Sequence, residues 1–131
     1  MATLPSRRTP TVLVVEDEES MLSVLEKILV DRGYNVLKAS DGKLAVRIYQ
    51  RDKASIDVVF LDMGLPKLSG RDVLFKIKQE KQDVKIVVSS GYFEEEFKSD
   101  FEQAGIKHFL QKPYRLDHVL QTLQSVIEEK F

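Results

Sequence analysis

The feature of this chain that most limits its fold is a fivefold alternation between short apolar segments and longer segments with helical periodicity. The apolar segments are residues 11–15, 34–39, 56–61, 84–88 and 107–110. The first, third and fourth have no polar alternation, which is typical of strands buried on both faces. A helical segment follows each one. This order predicts an α/β fold whose parallel sheet is covered by helices on both faces.

The ends of the predicted helices carry their own signals. Gly33 follows the first helix, residues 20–32, as a C-terminal cap would. Asp41 and Ser69 are suited to cap the N-termini of the second and third helices. Gly105 ends the fourth helix, and the last helix runs over residues 116–129. One face of the fourth helix carries aromatic residues at steps of four, which predicts core packing: Phe93, Phe97 and Phe101.

Length and charge restrict the class of protein. The 131 residues suit one domain, which we place at residues 11–131 after a flexible tail or linker at residues 1–10. The net charge of −1 argues against direct nucleic-acid binding and against contact with an anionic membrane. The longest apolar runs are far shorter than the roughly 20 residues of a membrane span.

The N-terminus also lacks the apolar segment of a signal peptide, so we expect a cytoplasmic protein. Cysteine is absent, which excludes thiolate chemistry and zinc–thiolate sites.

Polar residues suited to metal binding or catalysis follow four of the predicted strands. Glu16 and Asp17 follow the first strand, Asp62 the third, Ser90 the fourth and Lys112 the fifth. Because the carboxyl ends of parallel strands meet at one edge of the sheet, we expect these side chains to converge. In a doubly wound order of 2-1-3-4-5, the first and third strands are neighbours at the switch point, where such sheets bind ligands.

Three converging carboxylates repel one another, and a hard divalent cation would resolve the conflict. Oxygen ligands without cysteine favour Mg²⁺, which a phosphate oxygen commonly completes. Asp62 is then suited to be a nucleophile that forms an aspartyl-phosphate. Lys112 would offset charge on the phosphoryl group as a point charge, and Ser90 would donate a hydrogen bond. Each residue alone also has an ordinary explanation, such as helix capping, turn formation or surface exposure, but their convergence at four strand ends favours the functional one.

Four segments, taken in order, resemble the receiver domain of two-component response regulators, from residue 11 to the end of the chain. They are residues 12–18 (VLVVEDE), 61–66 (LDMGLP) with Gly70, 89–91 (SSG) and 109–113 (FLQKP). Each segment is weak evidence alone, and the ordered set is specific. The resemblance implies a flavodoxin-like (βα)5 fold with a doubly wound five-stranded parallel sheet of order 2-1-3-4-5.

The resemblance also implies an acceptor and a metal site. Asp62 would accept a phosphoryl group from a phosphohistidine on a sensor histidine kinase or a histidine phosphotransfer domain. Asp17, Asp62 and the backbone carbonyl of Gly64 would bind Mg²⁺ directly, and Glu16 would act through water. Glu16 stands where the family more often has Asp.

A switch is implied as well. Ser90 and Lys112 would contact the phosphoryl group, and Phe109 occupies the family's aromatic switch position. Its ring would turn inward as Ser90 moves, which would change the face formed by the fourth helix, fifth strand and fifth helix. A homodimer through the same face is left open. The Lys112–Pro113 peptide bond is cis in the family.

Other functions fit less of the sequence. A small phosphatase with an aspartyl-phosphate intermediate would carry a second acid two residues after Asp62, where Gly64 stands. A flavin-binding electron carrier would need a hydroxyl-rich loop after the first strand, where this chain has acids. A receiver-like interaction domain that is never phosphorylated is the remaining alternative. We expect a signalling switch that catalyses at most its own phosphorylation and dephosphorylation. The domain would belong either to a single-domain regulator or to a larger protein such as a hybrid histidine kinase.

Overall fold

The computed structural model describes residues 9–65, 67–91, 99 and 101–129. Its centre is a sheet of five parallel strands in the order β2-β1-β3-β4-β5, as predicted. The strands are β1 (Thr11–Val15), β2 (Asn35–Ala39), β3 (Val58–Asp62), β4 (Ile86–Ser90) and β5 (His108–Gln111). Because parallel neighbours cannot be joined by a tight turn, the chain crosses over between successive strands.

Four helices have bounds within the described residues: α1 (Glu19–Asp31), α2 (Gly42–Asp52), α3 (Gly70–Glu80) and the C-terminal helix (Leu116–Glu128). The predicted caps are confirmed. Asp41 accepts a hydrogen bond from the Leu44 amide at 2.8 Å, and Ser69 accepts one from the Asp72 amide at 3.2 Å. Gly33 follows α1 with a φ of 91°, which is the left-handed conformation that favours glycine.

The predicted fourth helix lies mostly outside the described residues, and Phe93 and Phe97 fall there. Residues 101–103 are helical, and Phe101 is fully buried as its spacing predicted. Among the described helices, none is both long enough and apolar enough to cross a membrane.

Both faces of the sheet are covered, so successive side chains of one strand enter two different cores. On β1, Leu13 and Val15 belong to the core cluster beneath α2 and α3. Val12 and Val14 belong to the cluster beneath α1 and the C-terminal helix. Double coverage is the reason that the central strands lack polar alternation.

Two strands, β3 and β4, begin two residues later than their apolar segments predicted. Residues 84–88 were predicted as a strand, whereas β4 starts at Ile86, which is in register with Val59. Val84 is buried but its amide bonds to the Lys81 carbonyl at 3.2 Å, in the turn after α3. Ile56 is likewise buried while its amide bonds to the Asp52 carbonyl at 3.2 Å. Apolar burial therefore extends beyond strand pairing at these two positions.

Candidate functional site

The strand registers bring the predicted residues to one edge of the sheet. Val15 is in register with Leu61, so Glu16 and Asp62 are the next residues on neighbouring strands. Asp62 is in register with Ser89, and Ser90 with Gln111, which places Lys112 just beyond. The predicted convergence at the carboxyl edge is therefore observed.

Three carboxylates form the centre of this site. One oxygen from each of Glu16, Asp17 and Asp62 lies within 4.8 Å of the other two. Glu16 and Asp62 are almost completely buried, at 2% and 6% exposure, and Asp17 is exposed to solvent. An all-oxygen set with one open side fits Mg²⁺, which keeps several waters when it binds to proteins. The residues present therefore fit the metal that the sequence predicted.

Lys112 joins two of these carboxylates. Its Nζ lies 3.0 Å from Glu16 Oε1 and 3.3 Å from Asp62 Oδ2. Desolvation opposes the charge on this amine, but the hydrogen bond to Glu16 and the attraction of Asp62 outweigh it and raise the pKa of Lys112. The amine therefore stays charged at neutral pH and offsets part of the repulsion between the acids. The Lys112–Pro113 peptide bond is cis, as the resemblance to receiver domains implied.

The environment of Glu16 opposes ionisation. Burial raises the pKa of this carboxyl, and the nearby Asp62 raises it further, although the Glu18 amide and Lys112 lower it. The Glu18 amide donates to Glu16 Oε2 at 3.1 Å. Glu16 therefore closes the turn before α1 as well as facing the site.

Gly64 lies at the mouth of the site. Its amide donates to Asp62 Oδ1 at 3.1 Å, which orients the carboxylate from the loop side. A Cβ on Gly64 would meet nothing closer than Asp62 Oδ1 at 3.9 Å. A side chain at this position would thus lie close to the Asp62 carboxylate, and glycine leaves that space open.

The two predicted switch residues, Ser90 and Phe109, lie on β4 and β5, where Ser90 is in register with Gln111 and Phe109 with Val88. Ser90 is half-buried, and its carbonyl accepts a hydrogen bond from the Lys112 amide at 2.7 Å. Phe109 is half-buried against the core beneath α2 and α3, with its ring centroid 6.1 Å from that of Phe101. Ser90 and Phe109 thus lie on the neighbouring strands β4 and β5.

Sequence reasoning did not select Tyr114, which also adjoins the site. Its ring lies 5.9 Å from the Phe60 ring, centroid to centroid, at the end of the motif that carries Lys112. Burial, followed by the negative charge of Glu16, raises the pKa of Tyr114 to about 12. Among the described residues its hydroxyl has no hydrogen-bond partner. The aromatic residue directly after Lys112-Pro113 was the available signal.

The sheet order and the acids at its switch point define a flavodoxin-like α/β protein, and folds of this class bind their ligands at the strand ends. A family model of the response regulator receiver domain matches residues 12–124, and the chain belongs to this family. Receiver domains of two-component signalling accept phosphoryl groups, bind Mg²⁺ at an acidic pocket and interact with histidine kinases or phosphotransfer partners.

The similar proteins differ in how much of their own length this chain matches. The chain is 32% identical over 117 residues to chemotaxis protein CheY of Bacillus subtilis, a match that covers 88% of this chain and 96% of that protein. It is 30% identical over 120 residues to sensor kinase CckA of Brucella abortus, covering 92% of this chain but 13% of the kinase. A chain of the CheX–CheY–BeF3–Mg²⁺ complex from Borrelia burgdorferi superposes with a TM-score of 0.85 at 30% identity, covering 92% of this chain and 90% of that one.

Proposed function

We propose that this domain is a phosphorelay switch in which Asp62 accepts a phosphoryl group from a phosphohistidine in a Mg²⁺-dependent reaction. The carrying observation is that Asp62 lies within 4.8 Å of two further carboxylates, Glu16 and Asp17, while Lys112 Nζ lies 3.3 Å from its Oδ2. A carboxylate that only formed a turn would not need both a cation-binding set and a partly buried amine.

In the proposed step, one oxygen of Asp62 attacks phosphorus and the bond between phosphorus and the imidazole nitrogen breaks. The nitrogen keeps the electron pair, and the imidazole later takes a proton from solvent. Mg²⁺, held by Asp17, Asp62 and the Gly64 carbonyl directly and by Glu16 through water, would neutralise charge on the phosphoryl oxygens. The Gly64 amide donates a hydrogen bond to Asp62 Oδ1, so we assign the attack to Oδ2, the oxygen that faces Lys112 Nζ at 3.3 Å.

Lys112 has two tasks in this proposal. Before the reaction it offsets the charges of Glu16 and Asp62, with which it is in contact. The phosphoryl group adds a charge of about −1.5 to −2. Lys112 then contacts the new oxygens, and the Ser90 hydroxyl donates a hydrogen bond to them.

We propose that the signal leaves through Phe109. Movement of Ser90 toward the phosphoryl group would free space for the Phe109 ring, which already packs near Phe101. The altered surface would include β5, the C-terminal helix and the helical residues 101–103. The donor would be a sensor histidine kinase or a histidine phosphotransfer domain, and the switched surface is also where a homodimer would form. A protein of CheY's length and a domain of a larger kinase are both represented among the relatives.

Incubation with MgCl₂ and acetyl phosphate, followed by intact-mass measurement, tests the acceptor. We expect one added phosphoryl group, none in Asp62→Asn, and none when EDTA replaces the metal. Asp72→Asn is the matched control, since Asp72 is an exposed acid on the following helix. A folded wild-type protein that gains no phosphoryl group, or labelling that persists in Asp62→Asn, would refute the proposal. Repeated turnover of a small phosphomonoester would instead support the phosphatase alternative.

A further inference from the structure

We propose that Asp41 and Lys67 are a positioning pair that holds the loop following Asp62 in the conformation that the phosphoryl site requires. Neither residue touches the carboxylate cluster, and the pair acts through the loop between β3 and α3. The purpose assigned to the pair rests on the proposed function, but its effect on the loop is measurable without any phosphoryl transfer.

Close packing fixes this loop at two places. The start of the loop packs against Gly70 of α3, where a Cβ would lie 2.7 Å from Met63 Cα and 3.0 Å from the Asp62 carbonyl oxygen. Further along the loop, a Cβ on Gly42 would collide with the backbone carbonyl of Leu68. The first turn of α2 therefore supports the loop from outside, and the start of α3 supports it from beneath.

Packing does not fix Gly64, an exposed residue near the start of this loop. Among the described residues, the nearest atom to a Cβ built on Gly64 is Asp62 Oδ1 at 3.9 Å, and the Gly64 amide donates to that same oxygen. Its position therefore depends on how the remainder of the loop is held. The same residue offers the backbone carbonyl that we assign to the metal.

The ion pair restrains the segment between these two packed places. Lys67 Nζ donates to Asp41 Oδ2 at 3.3 Å, while Asp41 Oδ1 accepts from the Leu44 amide at 2.8 Å. The two oxygens have separate roles, since one caps α2 and the other ties the loop to that cap. The helix end thus serves as a fixed point for Lys67.

Lys67 adopts a backbone conformation that needs such a restraint. Its φ of 68° is in the left-handed region, which is unfavourable for a residue with a Cβ. Among described residues other than glycine, it alone has a positive φ. The contact with Asp41 forms from this backbone conformation and therefore favours it over the extended alternative.

Two variants separate positioning from a simple change of electric field. Lys67→Gln removes a positive charge, and Asp41→Asn removes a negative charge while keeping an N-cap of equal quality. Both break the ion pair. If only the field at the site mattered, the two variants would shift Mg²⁺ affinity in opposite directions, whereas loss of positioning weakens it in both.

The measurements are the solvent-exchange rate of the Gly64 amide in the metal-free protein, the dissociation constant for Mg²⁺ from an NMR titration with MgCl₂, and the rate of labelling by acetyl phosphate. We expect each variant to raise the exchange rate and the dissociation constant by about two- to fivefold, the range that exposed ion pairs reach. The double variant should be no worse than either single one, and Lys67→Arg should restore wild-type values.

Lys53→Gln is the matched control. Lys53 Nζ lies 3.1 Å from Glu80 Oε1 and joins the other ends of α2 and α3, away from the site. It should leave all three readouts unchanged.

Opposite shifts in Mg²⁺ affinity, additive effects in the double variant, or an unchanged Gly64 exchange rate would overturn the positioning role. Failure of the proposed function looks different, because wild-type protein would then gain no phosphoryl group while the Gly64 exchange rate still responded to both variants.

Discussion

Replacing Lys112 by methionine tests how the acidic site is kept stable. Methionine keeps most of the side-chain length but removes the amine that lies 3.0 Å from Glu16 and 3.3 Å from Asp62. Two buried carboxylates then lose their cation. We expect the folded state of Lys112→Met to be less stable than wild type at neutral pH.

The magnitude follows from the burial of the partners. Removing one member of a buried ion pair costs about 3–5 kcal/mol. The Lys112 side chain is 29% exposed, so water screens part of the interaction. We therefore expect a loss of about 2–3 kcal/mol in the free energy of unfolding, which lowers the urea midpoint by about 1–2 M.

The loss should depend on pH in a defined direction. Burial raises the pKa of Glu16 in the folded protein above its ordinary value, and the variant loses the hydrogen bond and the positive charge of Lys112, which both lower this pKa. When folding raises the pKa of a carboxyl, the folded state is favoured while that carboxyl is protonated. This contribution to stability is fully present below the pKa of the unfolded chain and is lost as the pH rises through the pKa of the folded protein. The difference between wild type and Lys112→Met should thus be largest at pH 7 and shrink as the pH falls toward 4.

Urea unfolding at several pH values, followed by circular dichroism, measures this difference. Lys107→Met is the control, because it makes the same change before β5 at a side chain that is 74% exposed. It should alter stability by about 0.5 kcal/mol at most. A loss below about 1 kcal/mol at pH 7, or a loss that does not shrink on acidification, would refute the assigned role of Lys112.

Three further predictions concern packing and hydrogen bonding. Gly70→Ala should cost about 1–3 kcal/mol in urea unfolding because its Cβ would overlap the preceding loop, whereas Gly91→Ala, whose Cβ would have no atom of the described residues within 4 Å, should be nearly neutral. Ser69→Ala should cost about 1 kcal/mol through loss of the α3 cap, and an equal stability would contradict that bond. Burial raises the pKa of both Tyr49 and Tyr114 to about 12, so absorbance titration should show two tyrosines ionising there. Because both hydroxyls lack a partner among the described residues, each Tyr→Phe change should cost less than about 0.5 kcal/mol.

The apolar pattern predicted the sheet well where burial and strand pairing coincide. Residues 11–15 were predicted as a strand, and β1 occupies the same residues. Prediction of β3 and β4 was two residues early because Ile56 and Val84 are buried in turns, outside the hydrogen-bonded ladder. Periodicity reports which side chains avoid water, and it does not report which amides pair.

Sequence order also predicted that the acids and Lys112 would share one edge, because this follows from parallel topology alone. It could not predict that Glu16 would be buried while Asp17 stays exposed, nor that Lys112 would contact Glu16 more closely than Asp62. These distances depend on how side chains from distant parts of the sequence pack together, and Glu16 and Lys112 are 96 residues apart. The Asp41–Lys67 contact was missed for the same reason, since nothing local couples a helix cap to a loop 26 residues later.

Because the interior is divided into two cores, neighbouring residues of one strand report on opposite sides of the sheet. Val87 and Val88 are adjacent on β4 and fully buried, yet Val87 packs beneath α1 and the C-terminal helix, and Val88 packs beneath α2 and α3. Their methyl groups therefore form two internal probes that one strand holds in place. Methyl NMR of a sample labelled at valine would show on which side of the sheet any rearrangement begins. A signal that starts at Phe109 should move the Val88 methyl resonances before those of Val87.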